Sequence, residues 1–167
     1  MKIIVFSDSH GDSESIRKAL SIHRNADVAI FLGDGLTDFL QLKQQFPLTA
    51  FMAVRGNGDI GYMLSDVPLS DSVTLEGMRI FFCHGHTYAV KSGTGVITAM
   101  ARAKEADIAL FGHTHVPVAQ YLPEEDGKKA LYLVNPGSIG ARALNRTHSY
   151  ALIEIRGNGV LISHGKM

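Results

Sequence analysis

Five short polar stretches hold most of the residue types in this chain that suit metal or acid–base chemistry: Asp8-Ser9-His10, Gly33-Asp34, Gly56-Asn57, His84-Gly85-His86 and Gly112-His113-Thr114-His115. Each follows, directly or one residue on, an apolar run: KIIVF, VAIFL, FMAV, RIFFC and IALF. Together they offer carboxylates, a carboxamide and imidazoles, but no thiolate. That oxygen and nitrogen set suits Mn, Fe, Co, Ni or Zn better than Ca or a structural zinc site. Five of the eight histidines fall here, whereas His23, His148 and His164 do not, the last two reading as surface residues. A carboxylate shared by two ions would hold them about 3.5–4 Å apart, the spacing of two-metal phosphoester chemistry. Two divalent ions, less the charges of Asp8, Asp34 and a hydroxide, leave positive charge over. That remainder favours an anionic phosphoester over a neutral ester or amide.

Taken singly, each stretch has an ordinary structural use. Asp8-Ser9-His10 fits a helix-capping turn, and Gly56-Asn57-Gly58-Asp59 is good turn chemistry. Their shared position past strand-type runs argues that they converge, because ligands of open α/β sheets gather beyond the carboxyl ends of the strands.

The elements that must position them can be read from periodicity. Lys2 to Ser7 and Asp27 to Leu32 are apolar on both faces, as strands buried between two layers are. Between them a helix from Asp12 or Ser13 to about His23 places Ile16, Ala19, Leu20 and His23 on one face. This βαβ unit predicts a sheet that begins parallel. A second helix, capped by Thr37 or Asp38, should run to Pro47, and a third strand covers Thr49 to Val54. Hairpins are predicted across Glu76-Gly77-Met78, across Pro123 to Gly127, and across Arg156-Gly157-Asn158. A further helix, Thr94 to Lys104, and a buried strand, Asp107 to Phe111, lie between the first two. The result is an α/β (α+β) chain of two packed mixed β-sheets flanked by helices.

The chain's 167 residues fit one domain, 1–167. Lys+Arg and Asp+Glu balance at 16 each, so long-range attraction to nucleic acid or an anionic membrane is not indicated. The single cysteine, Cys83, points to a reducing compartment and reads as a core residue. No signal peptide is expected at MKIIVFSD, and no apolar run nears the ~18 residues of a membrane span. A cytoplasmic location is therefore expected. Tyr121, Leu122, Leu131 and Tyr132 are candidates for a homo-oligomer interface or for completing the core.

Asp8-x-His10, Gly33-Asp34-x-x-x-Asp38, Gly56-Asn57, His84-Gly85 and Gly112-His113-x-His115 together resemble the five signature blocks of the calcineurin-like metallophosphoesterases. Asn135-Pro136-Gly137-Ser138 extends the likeness to the small single-domain phosphodiesterase subgroup typified by YfcE. The resemblance implies a four-layer sandwich and a dinuclear centre, with manganese the expected metal and Ni, Co, Fe or Zn compatible. One ion would be held by Asp8, His10, Asp34 and His115, and the other by Asp34, Asn57, His84 and His113. The implied reaction is hydrolysis of a small phosphodiester by a metal-bridging hydroxide. Asn57 and His86 are then the candidate catalytic residues. Many members of the family carry a histidine where this chain has Gly58, which leaves Asp59 without a neighbouring imidazole to orient. His86 is the available substitute acid, and good leaving groups are expected to be preferred. Arg55 and Asn135 read as a surface arginine and a turn asparagine, with substrate contact the alternative. Other readings are a phosphomonoesterase acting on nucleotides or phosphoproteins, and a protein-binding scaffold like the retromer subunit of the Vps29 type.

Overall fold

The computed structural model describes residues 1–61, 65–125, 127–140, 148–157 and 159–167. Asp126 and Asn158, in two of the expected turns, lie outside that set, as does part of the connection from Ile60 to Ser70. The first sheet comprises β1 (Lys2–Phe6), β2 (Val28–Phe31), β3 (Ala50–Ala53), β9 (Ser149–Arg156) and β10 (Gly159–Lys166), in the order β10-β9-β1-β2-β3. The second comprises β4 (Ser70–Leu75), β5 (Met78–Cys83), β6 (Ile108–Leu110), β7 (Val118–Leu122) and β8 (Leu131–Asn135), in the order β4-β5-β6-β8-β7. β1, β2 and β3 are parallel, as are β5, β6 and β8. All three hairpins form: β4–β5, β7–β8 and β9–β10 are antiparallel pairs.

Strand alternation divides the core. Ile3, Val5, Val28 and Ile30 of the first sheet meet Ile80, Phe82, Ile108 and Leu110 of the second, and fill the space between them. The opposite faces are covered by helices: Ile4, Phe6 and Phe31 pack on α1 (Ser13–Ile22) and α2 (Leu36–Leu40). Phe81, Ala109 and Leu133 pack with Ile97 and Ala101 of α3 (Gly95–Ala103). The order is helix, sheet, sheet, helix, the four-layer arrangement that double-faced apolar strands require. Cys83 is buried in the layer under α3, where burial pushes its thiol up to about 12. Of the four hairpin residues named above, Leu131 is buried, Leu122 and Tyr132 pack against core, and Tyr121 remains 54% exposed.

Two details differ from expectation. The helix expected from Thr37 or Asp38 to Pro47 is two short pieces, α2 and a 3-10 turn at Lys43–Gln45. Asp38 does not cap it, because its Oδ2 accepts bonds from Ser9 Oγ and the Gly11 amide, both at 2.7 Å. His164, expected at the surface, is half-buried, and its Nε2 donates to the carbonyl of Asn135 at 2.7 Å. Asp12 caps α1 as expected, accepting from the Ser15 amide at 3.0 Å. Among the described residues no helix is long and apolar enough to cross a membrane.

Candidate metal centre

Asp8 and His10 lie just past β1, Asp34 past β2, Asn57 past β3, His84 directly after β5, and His113 and His115 past β6. Parallel pairing aligns the ends within each sheet, and backbone bonds then zip the loops together. The Asp8 amide donates to Gly33 O (2.9 Å), and the His10 amide to Asp34 O (3.2 Å). Hydrogen bonds stitch one sheet to the other, among them His113 N to Asp8 Oδ2 at 3.1 Å, Ser138 Oγ to Asp8 O at 2.8 Å, and His84 Nδ1 to Leu32 O at 2.8 Å. Gly112 is required by this closeness, since a Cβ there would sit 1.9 Å from Ser7 Oγ. Gly56 is required likewise, its Cβ falling 2.1 Å from Asp34 Oδ1.

Backbone strain concentrates here. Asp8, His10, Asp34, His113 and His115 all have positive φ, between 48° and 66°. Asp and His tolerate that region better than branched or bulky residues, at an order of 1–3 kcal/mol each. Hydrogen bonds and packing around the loops hold them in it.

The six Asp and His candidates form two groups whose ligand atoms lie within 4.8 Å of one another: Asp8, His10 and His115, and Asp34, His84 and His113. His10 Nε2 and His115 Nε2 face each other at 3.4 Å, and His84 Nε2 and His113 Nδ1 at 3.1 Å. Asp8 Oδ1 is buried and makes no hydrogen bond among the described residues. Yet His115, His10 and His84 bring Nε2 atoms to 3.0, 3.8 and 4.0 Å from it. A buried, unbonded carboxylate oxygen ringed by imidazole nitrogens is costly unless a cation completes it. The donors therefore fit a divalent metal. His84 is prepared for that role: a proton on Nδ1 given to Leu32 O leaves the Nε2 lone pair for an ion. Asn57 is exposed on the turn between Gly56 and Gly58, and the Gly58 amide donates to Asp34 Oδ1 at 2.6 Å.

His86 begins the turn His86–Tyr88, its ring centred 5.4 Å from that of His84 and 6.1 Å from that of His113. Asn135 is fully buried; its Nδ2 donates to Gly112 O (3.0 Å) and Thr114 Oγ1 (3.1 Å), so it braces the histidine loop. Sequence reasoning missed the main work of Asp59. Its carboxylate accepts four buried or partly buried amides, those of Asp34, Gly35, Leu36 and Gly56, at 2.7–2.9 Å. The available signal was an aspartate closing a Gly-Asn-Gly-Asp turn, a residue that readily takes up nearby amides.

Burial opposes charge on Asp34, but the His84 hydrogen bond and charge, with the Gly58 amide, hold its carboxyl down to about 2. Burial likewise opposes charge on His84, and Asp34, Asp8 and the Leu32 carbonyl outweigh it, raising the imidazole above 6.5. His113 is lowered by burial, then by the charges of His84 and Lys91. His84 thus keeps a proton to higher pH than an ordinary imidazole, and a metal must displace it. Metal affinity should rise with pH, by up to about tenfold per unit below the raised value. In the metal-free protein the sign reverses: stability from this raised group is full below 6.5 and is lost as pH climbs through the folded-state value. Calorimetric titration of Mn²⁺ into chelator-stripped protein, in buffers of different ionisation enthalpy, should register the released proton. Binding without proton release below pH 6.5 would remove His84 from this role.

Comparison with known proteins gives consistent matches. A family model described as the calcineurin-like phosphoesterase superfamily domain matches residues 1–158. The Bacillus subtilis protein named "Probable metallophosphoesterase YsnB" is 28% identical over 166 residues, covering 97% of this chain and 89% of that protein. Phosphodiesterase YfcE of Escherichia coli is 26% identical over 174 residues, covering 92% of this chain and 88% of YfcE. Among solved structures, a predicted phosphoesterase from Streptococcus pneumoniae superposes with a TM-score of 0.78 at 28% identity, covering 99% of this chain and 88% of that one.

Proposed function

We propose that this chain, which belongs to the calcineurin-like phosphoesterase superfamily, hydrolyses small phosphodiesters with the help of two divalent metal ions. The observation that carries the reading is the adjoining pair of ligand groups, Asp8–His10–His115 and Asp34–His84–His113, with the unbonded Asp8 Oδ1 facing imidazoles of both. In this reading Asp34 serves both groups and Asn57 completes the second. Manganese is the metal we expect, and Ni, Co, Fe or Zn suit the same donors. When bound, such ions supply a water of lowered pKa and positive charge for the phosphoryl oxygens. The chain's own residues hold the ligands rigid: Ser7 and the His113 amide fix Asp8, Leu32 fixes His84, and Asn135 fixes the loop bearing His113. The reading takes 1–167 as one catalytic domain working in the cytoplasm.

The diester preference is supported by the named activity of the E. coli relative and by the region around Gly58. Glycine there offers no proton to a leaving oxygen. His86, the nearby alternative, is lowered by burial, then by the charges of His84 and Arg55, so its protonated form is depleted at neutral pH. Aryl diesters should therefore outpace alkyl diesters by about a hundredfold. Any acid-assisted turnover of alkyl diesters falls as pH rises through the lowered value of His86. Replacing His86 by Gln should flatten that limb of the pH profile; an unaltered profile would exclude His86 as the acid.

The reading as a whole is tested by stripping the protein with chelator and restoring each divalent metal before assay on a panel of diesters and monoesters. Metal-dependent turnover led by diesters is expected. Monoesters turned over faster would make the protein a phosphomonoesterase. Absence of turnover with every metal, the ions bound nonetheless, would favour a metal-dependent protein-binding scaffold.

A further inference from the structure

β10 places an imidazole in line with core side chains. Side chains alternate across a strand, so Val160, Ile162 and His164 share a face. Val160 and Ile162 pack on the core between the sheets, whereas His164 meets the end of β8, where its Nε2 donates to Asn135 O at 2.7 Å. Ser149, at the start of β9, takes hold of the residues that follow. Its Oγ donates to Pro136 O at 2.7 Å, and its amide to Ser138 O at 2.9 Å. Gly137 passes so near that a Cβ there would lie 2.1 Å from Ser149 Oγ. The first sheet therefore grips the segment Asn135 to Gly140 by the carbonyls of Asn135, Pro136 and Ser138.

That segment in turn grips the metal centre. The Asn135 Nδ2 donates to Gly112 O and Thr114 Oγ1, which flank His113, at 3.0 and 3.1 Å. Its Oδ1 accepts the Gly137 amide at 2.9 Å, which fixes the plane of the carboxamide. Ser138 Oγ and the Gly140 amide both donate to Asp8 O, at 2.8 and 3.3 Å, and the Ile139 amide donates to Ser7 O at 3.1 Å. A Cβ on Gly140 would fall 2.1 Å from Ser9 O, so this approach needs a glycine.

The two ligand groups depend on the segment unequally. In the group Asp8–His10–His115, Asp8 is bonded to it directly and His115 follows the braced Thr114. In the group Asp34–His84–His113, Asp34 is held by the Gly58 amide and His84 by Leu32 O. Only His113 lies on the braced loop.

We propose that Asn135–Gly140 is a clasp that sets the spacing between Asp8 and the histidine loop. His164 and Ser149 are then positioning residues that hold the clasp, acting chiefly on the ion of the Asp8–His10–His115 group. This rests on the two-metal phosphodiesterase reading and adds to it residues from the last two strands. A carboxylate and an imidazole carried by different sheets bind one ion well only at a fixed separation, and partners that orient ligands typically contribute about 10- to 100-fold in affinity or activity.

Calorimetric titration of Mn²⁺ into chelator-stripped protein should resolve two binding events, and the event lost in His115→Ala identifies the Asp8 group. His164→Leu, which removes the donor, should weaken that event about tenfold and the other by less than about twofold. His164→Gln, which keeps an N–H donor, should recover most of the loss. Ser149→Ala should weaken the event about threefold, because its amide still holds Ser138 O. With bis(p-nitrophenyl) phosphate, kcat should fall in the same order while KM stays within about twofold. Ile162→Ala loosens the same strand without touching the clasp and should leave the ratio of the two affinities unchanged. All variants are compared below the lowest Tm of the set. Equal weakening of both ions in His164→Leu, or the same selective loss in Ile162→Ala, would overturn the proposal. Hydrogen exchange in the metal-free protein gives a readout that needs no ion. The His113 amide, bonded to Asp8 Oδ2 at 3.1 Å, should exchange faster in His164→Leu than in the parent or Ile162→Ala; an unchanged rate would also overturn the clasp. Ions bound without turnover of any phosphoester would sink the hydrolase reading alone, with titration and exchange still deciding the clasp.

Discussion

Replacing Asp34 by Asn should reduce metal-dependent phosphodiester turnover by about a thousandfold or more, equivalent to ~4 kcal/mol of barrier, while leaving the fold nearly intact. The two effects separate because of how Asp34 is held. Its φ is 60°, a conformation that Asn adopts readily. One side-chain oxygen remains to accept the Gly58 amide, now at 2.6 Å. What is lost is the negative charge, together with the oxygen 3.4 Å from His84 Nε2. An amide group facing imidazoles and cations repels where the carboxylate attracted. The variant should also lose most of the upward shift of His84, since Asp34 provides its hydrogen bond and part of the charge behind it. Assay with each metal, calorimetric metal titration and thermal melting together check the claim. Turnover within tenfold of the parent, with metal affinity unchanged, would show that Asp34 is not the shared ligand.

Asp59→Ala should destabilise the protein by about 3–4 kcal/mol, a fall in Tm of roughly 10 °C for a chain of this size. The carboxylate is 8% exposed and is the acceptor for four amides. Each buried amide left without an acceptor costs about 1–3 kcal/mol. The loss stays at or just below the low end of the summed range because Asp59 borders an open cleft, from which water can reach some of the exposed donors. α2 has no side-chain cap of its own at Gly35. Asp59 supplies one from across the turn through the Gly35 and Leu36 amides, and its negative charge suits the start of a helix. Metal affinity should fall as well, because the same carboxylate joins the Asp34 loop to the Gly56 turn. Asp59→Asn should lie between parent and Ala variant, retaining one acceptor and turning an NH₂ group toward amide donors. Denaturation by heat and by urea measures this directly; a Tm within about 2 °C of the parent would mean that the four bonds are readily replaced by water.

Much of this architecture was legible in short-range pattern. Double-faced apolar runs identified the buried strands, period-two segments with glycine turns identified the hairpins, and Ile16, Ala19 and Leu20 marked the inner face of α1. All these signals arise between residues a few positions apart, where backbone geometry alone sets the period. α2 shows the limit of such signals. The stripe Phe39, Leu42 and Phe46 has helical spacing, yet the helix proper ends at Leu40. Asp38, the expected cap, is drawn away by Ser9 and Gly11, residues nearly thirty positions earlier in the chain.

The donor types of the candidate centre and their positions past the strand ends can be read along the chain: two aspartates, an asparagine and four histidines, without a thiolate. So can the absence of a histidine at Gly58. Which donors face one another, which nitrogen each histidine presents, and that five of the donor residues sit at positive φ come from the folded arrangement. It alone assigned Asp59 to four amides. The physical reason lies in range. Contacts such as His113 to Asp8, 105 residues apart, and Ser138 to Asp8, 130 apart, depend on how two sheets stack and twist. No local propensity encodes that relation. It is set by the apolar face that Ile3, Val5, Ile80, Phe82 and their neighbours bury between the sheets, and the loops above it are held wherever that packing brings them.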